Sequence, residues 1–183
     1  MRKHIMGDAD IMFDVVSDPS SFSHSASFQN VNYLDDNLNI RMPVFSIHGN
    51  HDDPNGKDAF SVLDILASTG LINYFGKQVN MDKIEVAPIL LTKNGINVSL
   101  YGIGALPEER FHRYIANDRV AFLRLDDHKK KWFNMFVVHQ NRVRHGTKYL
   151  PEHCLTELPD FVVWGHEVSN ARSFPGWLNQ TFV

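Results

Sequence analysis

The 183 residues, 43% hydrophobic and 21% charged, suffice for one domain with a real core in ordinary globular proportions. A formal net charge of −3 gives bulk electrostatics no part in nucleic-acid binding, so any such role rests on local sites. The single cysteine, Cys154, excludes an intrachain disulfide and suits a reducing compartment. No apolar run approaches the ~18 residues of a membrane span, and Met1-Arg-Lys-His-Ile-Met-Gly-Asp8 lacks the apolar stretch of a secretory signal.

Residues 17–39 are rich in Ser, Asp and Asn and read as one long surface loop, either functional or disordered. Pro43-Val-Phe-Ser-Ile47 then forms a short apolar strand, stopped by Gly49-Asn50-His51-Asp52. Ala59, Val62, Leu63 and Leu66 repeat at i, i+3, i+4, i+7, which predicts a helix with Gly70 as its terminator. Val98-Ser-Leu-Tyr101 is a second strand, ending at Gly102 and Gly104. Pro107 opens a second helix, with Glu108 and Glu109 in its first turn and Phe111, Tyr114 and Ile115 on its buried face. Phe133-Asn-Met-Phe-Val-Val138 is a third strand, running into His139. Phe161-Val-Val-Trp164 is a fourth, running into Gly165-His166-Glu167. Strands separated by helices indicate α/β layering, and continuous apolar runs indicate strands buried on both faces.

Three of these four strands end in imidazole or amide side chains: Asn50 and His51, His139, and His166. Open α/β sheets place their sites at the carboxyl ends of strands, where loops converge. Neutral imidazole is the commonest metal ligand, and an amide oxygen suits a hard cation. One strand-end His alone is more often structural or solvent-facing; three such ends in one chain shift that balance.

Taken in order, Gly49-Asn-His-Asp52, Val138-His139 and Gly165-His166-Glu167 resemble the third, fourth and fifth signatures of the calcineurin-like metallophosphoesterases. The flanks Ser46-Ile-His-Gly-Asn-His-Asp-Asp-Pro54, Leu63-Asp-Ile-Leu66, Tyr101-Gly-Ile-Gly-Ala-Leu-Pro-Glu-Glu-Arg110, His139-Gln-Asn-Arg142 and Val163-Trp-Gly-His-Glu167 narrow the resemblance to the eukaryotic meiotic-recombination-eleven nucleases. It covers residues 1–167. It implies an α/β fold, a partial metallophosphoesterase β-sandwich flanked by helices. It also implies a manganese-dependent DNA nuclease of double-strand-break repair, exonuclease and single-strand endonuclease, acting in the nucleus and in meiosis. The implied partners are DNA, a coiled-coil ATPase of the structural-maintenance-of-chromosomes type, nibrin and a second copy of the chain; no membrane is involved. Two manganese ions would clamp the scissile phosphodiester, one activating the attacking water. Carried over by motif, Asn50, His139 and His166 bind one ion, His51 faces the phosphate as catalytic residue, and Asp52 orients His51.

The chain also departs from that pattern. The family's Asp-x-His and Gly-Asp-x-Phe motifs, which supply the other ion's ligands and the bridging aspartate, have no counterpart here. Gly7-Asp8-Ala-Asp10 is set aside as a substitute because no apolar strand precedes it. The last family motif ends in His where this chain has Val168. At most one weak manganese site is therefore expected, and the missing strands would leave strand edges exposed. Residues 168–183 form an out-of-family tail. Because Val-Ser can be encoded by the consensus start of an intron, read-through into an intron is expected, yielding a truncated product or a gene-model fragment.

Arg142, Arg144, His145 and Lys148 follow His139 as a basic loop that either holds DNA backbone or is simply solvated. His128-Lys-Lys-Lys131 reads as a solvated turn. The face Ala59/Val62/Leu63/Leu66 is most simply core, and family resemblance makes part of it a dimer interface. Val31-Asn-Tyr33 loosely resembles the family's nibrin-contacting insertion. Three functions follow: an impaired manganese-dependent repair nuclease, an inactive module for dimerisation or nibrin binding, and a phosphoesterase for other substrates, which the flanks disfavour.

Overall fold

The structure is a computed structural model that describes residues 2–21, 31–78, 82–124, 131–142, 149–155 and 159–166. The tail 168–183 lies outside the described residues, as does most of the turn 128–131. The strands are β1 (Asp14–Val15), β2 (Phe45–Ser46), β3 (Asn73–Tyr74), β4 (Ile84–Val86), β5 (Ile89–Lys93), β6 (Ile96–Ile103), β7 (Val120–Phe122), β8 (Phe133–His139) and β9 (Phe161–Gly165). The α-helices are α1 (Arg2–Ile5), α2 (Val62–Ser68) and α3 (Glu108–Ala116).

A mixed sheet of order β1-β5-β6-β8-β9 forms the centre, with β6, β8 and β9 parallel and β1, β5 and β6 antiparallel. Its two faces bury different residues because side chains alternate along a strand. On one face Tyr101 and Ile103 of β6, Phe136 and Val138 of β8, and Val162 and Trp164 of β9 pack with Phe111 of α3 and with Ile84 and Val86 of the parallel β4–β7 pair. On the other, Ile89, Leu91 and Leu100 meet Phe45, Ile47 and Phe75 beside the parallel β2–β3 pair. Helix α2 covers the far side of that pair through Leu63 and Leu66, which pack with Ile72, Tyr74 and Val44. The mixed α/β architecture, with strands covered on both faces, agrees with the apolar runs in the sequence.

Local expectations fared unevenly. Helix α2 starts at Ser61, whose side chain caps Leu63 N–H while Asp64 reaches back to Ser61 N–H, a full capping box. Ala59 therefore lies before the helix, in a turn with φ of 49°, and Val62 is exposed. The predicted face is core only at Leu63 and Leu66. Gly70, with φ of 71°, terminates the helix as expected. Pro107 caps α3 rather than entering it, a shift of one residue. The stretch 17–39 is not wholly surface. Val31 and Asn32 are buried, and Asn32 exchanges hydrogen bonds with Asn73 and donates to Gly70 O. Strand β5 escaped the sequence reading although its signal was present: Asn94-Gly95, both at positive φ, closes a tight hairpin pairing Lys93 with Ile96.

Candidate metal and phosphoester site

The register of the parallel strands creates the site. Ile103 pairs with Val138, and Val138 with Trp164, so β6, β8 and β9 end side by side. His139 closes β8 opposite Gly165, and His166 follows immediately. The segments after β2 and β3 meet the end of β6: Ala105 N–H donates to His48 O at 3.0 Å, and Gly104 N–H donates to Gly76 O at 3.0 Å. Absent side chains permit the close approach. A Cβ on Gly49 would stand 2.9 Å from the His139 ring, and one on Gly165 2.8 Å from His139 Nδ1.

Three side chains meet there. Asn50 Oδ1 lies 3.0 Å from His139 Nε2 and 3.1 Å from His166 Nδ1, and the two nitrogens are 3.3 Å apart. An amide oxygen only accepts, so either both nitrogens donate to it and set two N–H groups against each other, or one does not and turns a lone pair toward the oxygen. At most two of the three contacts are hydrogen bonds. The arrangement thus brings three lone-pair atoms to one point, and a cation there removes the conflict. Spacings of this size match neighbouring ligands around an ion bound at about 2.0–2.2 Å. Burial, and then the neighbouring His166 and His48, hold His139 below the usual imidazole range against the opposing pull of Asp52, which keeps the ring neutral and able to ligate. His166 sits at φ of 85°, a conformation uncommon for a side-chain-bearing residue and of a kind found at functional sites. Among the described residues, no three His, Cys, Asp or Glu side chains cluster to hold a metal; the third donor here is the Asn50 amide, which carries no charge.

The other predicted residues are placed as follows. His51 is exposed in the turn beside Asn50. Asp52 is half-buried; its N–H donates to Gly49 O and its carbonyl accepts from Ser61 Oγ at 2.6 Å. Its carboxylate makes no hydrogen bond to His51 among the described residues, and acts electrostatically on His139 and His48. Arg142 is largely buried, its Nε donating to Glu152. Arg144, His145 and Lys148 lie outside the described residues, as do Glu167 and Val168. Gly7-Asp8-Ala-Asp10 lines a separate open cleft of about 630 Å³ with Tyr33 and Ile40, and Asp8 accepts from Asn39.

Sequence reasoning gave no role to His48, which the fold buries to 3% exposure. Burial holds its pKa below the usual range, so it too is neutral. Its Nδ1 is 2.7 Å from the Tyr74 hydroxyl, and its Nε2 is 3.3 Å from Ala105 O and 3.6 Å from Asp53 Oδ1. The available signal was an imidazole placed where an apolar strand runs into the core; its partner lies 26 residues away. A buried ion pair flanks it: Lys77 Nζ is 3.1 Å from Asp64 Oδ2, which also accepts from Ser61 N–H.

The profile of the calcineurin-like phosphoesterases matches residues 3–170. The chain is 50% identical over 168 residues to the double-strand break repair protein MRE11 of Gallus gallus, and 48% identical to that of Homo sapiens. It is 40% identical over 172 residues to the double-strand break repair protein mre-11 of Caenorhabditis elegans. Each alignment covers 91% of this chain and 24% of the relative, so the chain spans about a quarter of these relatives' length.

Proposed function

Because the chain belongs to the calcineurin-like phosphoesterase family, we propose that it is part of a DNA double-strand-break repair nuclease and carries one half of a divalent-cation site. The supporting observation is the convergence of Asn50 Oδ1, His139 Nε2 and His166 Nδ1 within 3.3 Å of one another. Asn50, His139 and His166 would hold the ion; manganese is the metal the family resemblance implies, and of these donors the Asn50 amide oxygen is the one suited to it. Bound there, the ion supplies Lewis-acid charge to a phosphate oxygen.

The chain's own groups do the rest. His51, exposed beside Asn50, offers a proton donor to a phosphate or leaving oxygen. Asp52 adds negative charge near His139, which favours a cation. Three neutral ligands bind a dication weakly, and among the described residues no carboxylate joins them to bridge to a second ion. Cleavage by this chain alone is therefore impaired. DNA is the substrate proposed, in the nucleus, with a coiled-coil ATPase and nibrin as partners. The exposed apolar side of α2, with Val62 56% and Ile65 62% exposed, supports a homodimer face.

Calorimetry with Mn²⁺ on the wild type and on His139→Ala tests the site. A single weak binding event that disappears in the variant is expected; identical isotherms would overturn the assignment. Cleavage of single-stranded DNA that depends on both Mn²⁺ and His51 would refute the impairment.

A further inference from the structure

The segment that carries Asn50 and His51 is a loop, and something has to hold it to ångström tolerance. Among the described residues its backbone makes few bonds: Asp52 N–H to Gly49 O, Ser61 Oγ to Asp52 O, and Ala105 N–H to His48 O. The buried ring of His48 stands at the root of this loop and reaches three elements at once. Ala105 O and Asp53 Oδ1, the two groups near Nε2, are both acceptors, so the ring proton is on Nε2. In the neutral ring Nδ1 is then a lone pair, and the Tyr74 hydroxyl must donate to it. The result is a polarised chain of defined direction, from Tyr74 at the end of β3, through His48, to Ala105 just past β6. Gly104 completes the seat. The ring lies where a Cβ would be, 1.9 Å from that position, so imidazole packs directly on backbone. Tyr74 also meets the ring edge-on, with centroids 5.8 Å apart at 81°.

We propose that His48, held by Tyr74, is a positioning residue that pins the root of the Gly49–Asp53 loop to the carboxyl end of β6, and so sets the Asn50 amide oxygen against His139 and His166. The proposal rests on the cation-site reading only for its effect on metal affinity; its effect on the loop is independent of any ion. The geometry favours a positioning role over simple core filling. An apolar side chain would fill the same space, but it would bond neither Tyr74 nor Ala105: the buried Ala105 carbonyl would lose its side-chain partner and the Tyr74 hydroxyl would keep only Ser61.

Tyr74→Phe is the test, because it removes one hydroxyl and keeps the ring contact. Amide hydrogen exchange of the metal-free chain should quicken by about 10-fold or more at Asp52 and Ala105, while Phe136 and Val138 in β8 keep wild-type rates. Mn²⁺ affinity should fall by about 10–100-fold, as when a partner behind a ligand is lost. Unchanged exchange at Asp52 and Ala105 overturns the proposal, as does faster exchange with unaltered affinity. Uniformly faster exchange, including β8, means general destabilisation and also overturns it. A wild-type chain that binds no Mn²⁺ removes the cation-site reading alone, and the clamp then stands or falls on the exchange rates.

Discussion

Gly104→Ala is a one-carbon change whose consequence can be worked out in advance. Gly104 has no left-handed φ, so alanine adds no backbone strain and the cost is steric. The new Cβ would lie 1.9 Å from His48 Cε1 and 2.2 Å from Nδ1, and ordinary contact begins at 3.4 Å, so the ring has to retreat by about 1.5 Å. That displacement breaks the 2.7 Å bond from Tyr74 and the 3.3 Å contact with Ala105 O. The ring is only 3% exposed, so little water replaces them. Over-packing costs about 1–3 kcal/mol, and each buried polar group left unpaired about 1–3 kcal/mol more. With the Tyr74 hydroxyl and the Ala105 carbonyl both affected these terms sum to about 3–9 kcal/mol, a large share of the ~5–15 kcal/mol that stabilises a domain. Urea denaturation measures it, and His48→Ala supplies the decisive background. With the ring removed, Gly104→Ala should cost under about 1 kcal/mol, giving a strong coupling energy between the two sites. Gly95→Ala is the opposite control: φ is +82° with nothing within 4 Å, so only strain of about 1–2 kcal/mol is expected. Equal costs for Gly104→Ala in both backgrounds, or a cost below about 0.5 kcal/mol, would refute the reasoning.

Stability should fall with acidity. Burial lowers the pKa of both His48 and His139, so in the range just below the ordinary imidazole value of about 6.5 the unfolded chain takes up protons that the folded chain refuses. The contribution is complete above that value and is lost as pH drops through it toward the lower folded pKa values. Melting temperatures between about pH 7.5 and 5.5 check this, and a flat or rising profile there would contradict it. Asp64→Asn should destabilise by about 3–5 kcal/mol, because it strands the Lys77 ammonium beside an almost fully buried position. Adding Lys77→Met should restore part of that loss in the same urea assay. Phe136→Ala, at a fully buried position edge-on to Phe122, should cost about 3–5 kcal/mol, and a smaller loss would mean that the β8 core collapses around the gap.

Much of this molecule was legible one residue at a time. The runs ending at Ile47, Tyr101, Val138 and Trp164 declare strands, since strands buried on both faces need unbroken apolar sequence. The residues beyond them, Asn50, His139 and His166, stand out as polar groups at strand ends. The Asn94-Gly95 hairpin is equally local, since a tight two-residue turn needs positive φ at both positions. What the sequence could not decide is distance across the chain. Asn50 and His166 are 116 residues apart, and it takes both the parallel register of β6, β8 and β9 and the docking of the loop after β2 on the end of β6 to bring Oδ1 and Nδ1 to 3.1 Å. The partnership of His48 with Tyr74 is of the same kind: neither residue names the other, and the choice was made when β2 paired with β3 and the glycine at 104 left room for a ring. Local patterning determines which face of each element is apolar, because periodicity is a property of the neighbouring residues. Which polar groups end up within bonding distance depends on how those faces pack, and that is decided by the tertiary structure alone.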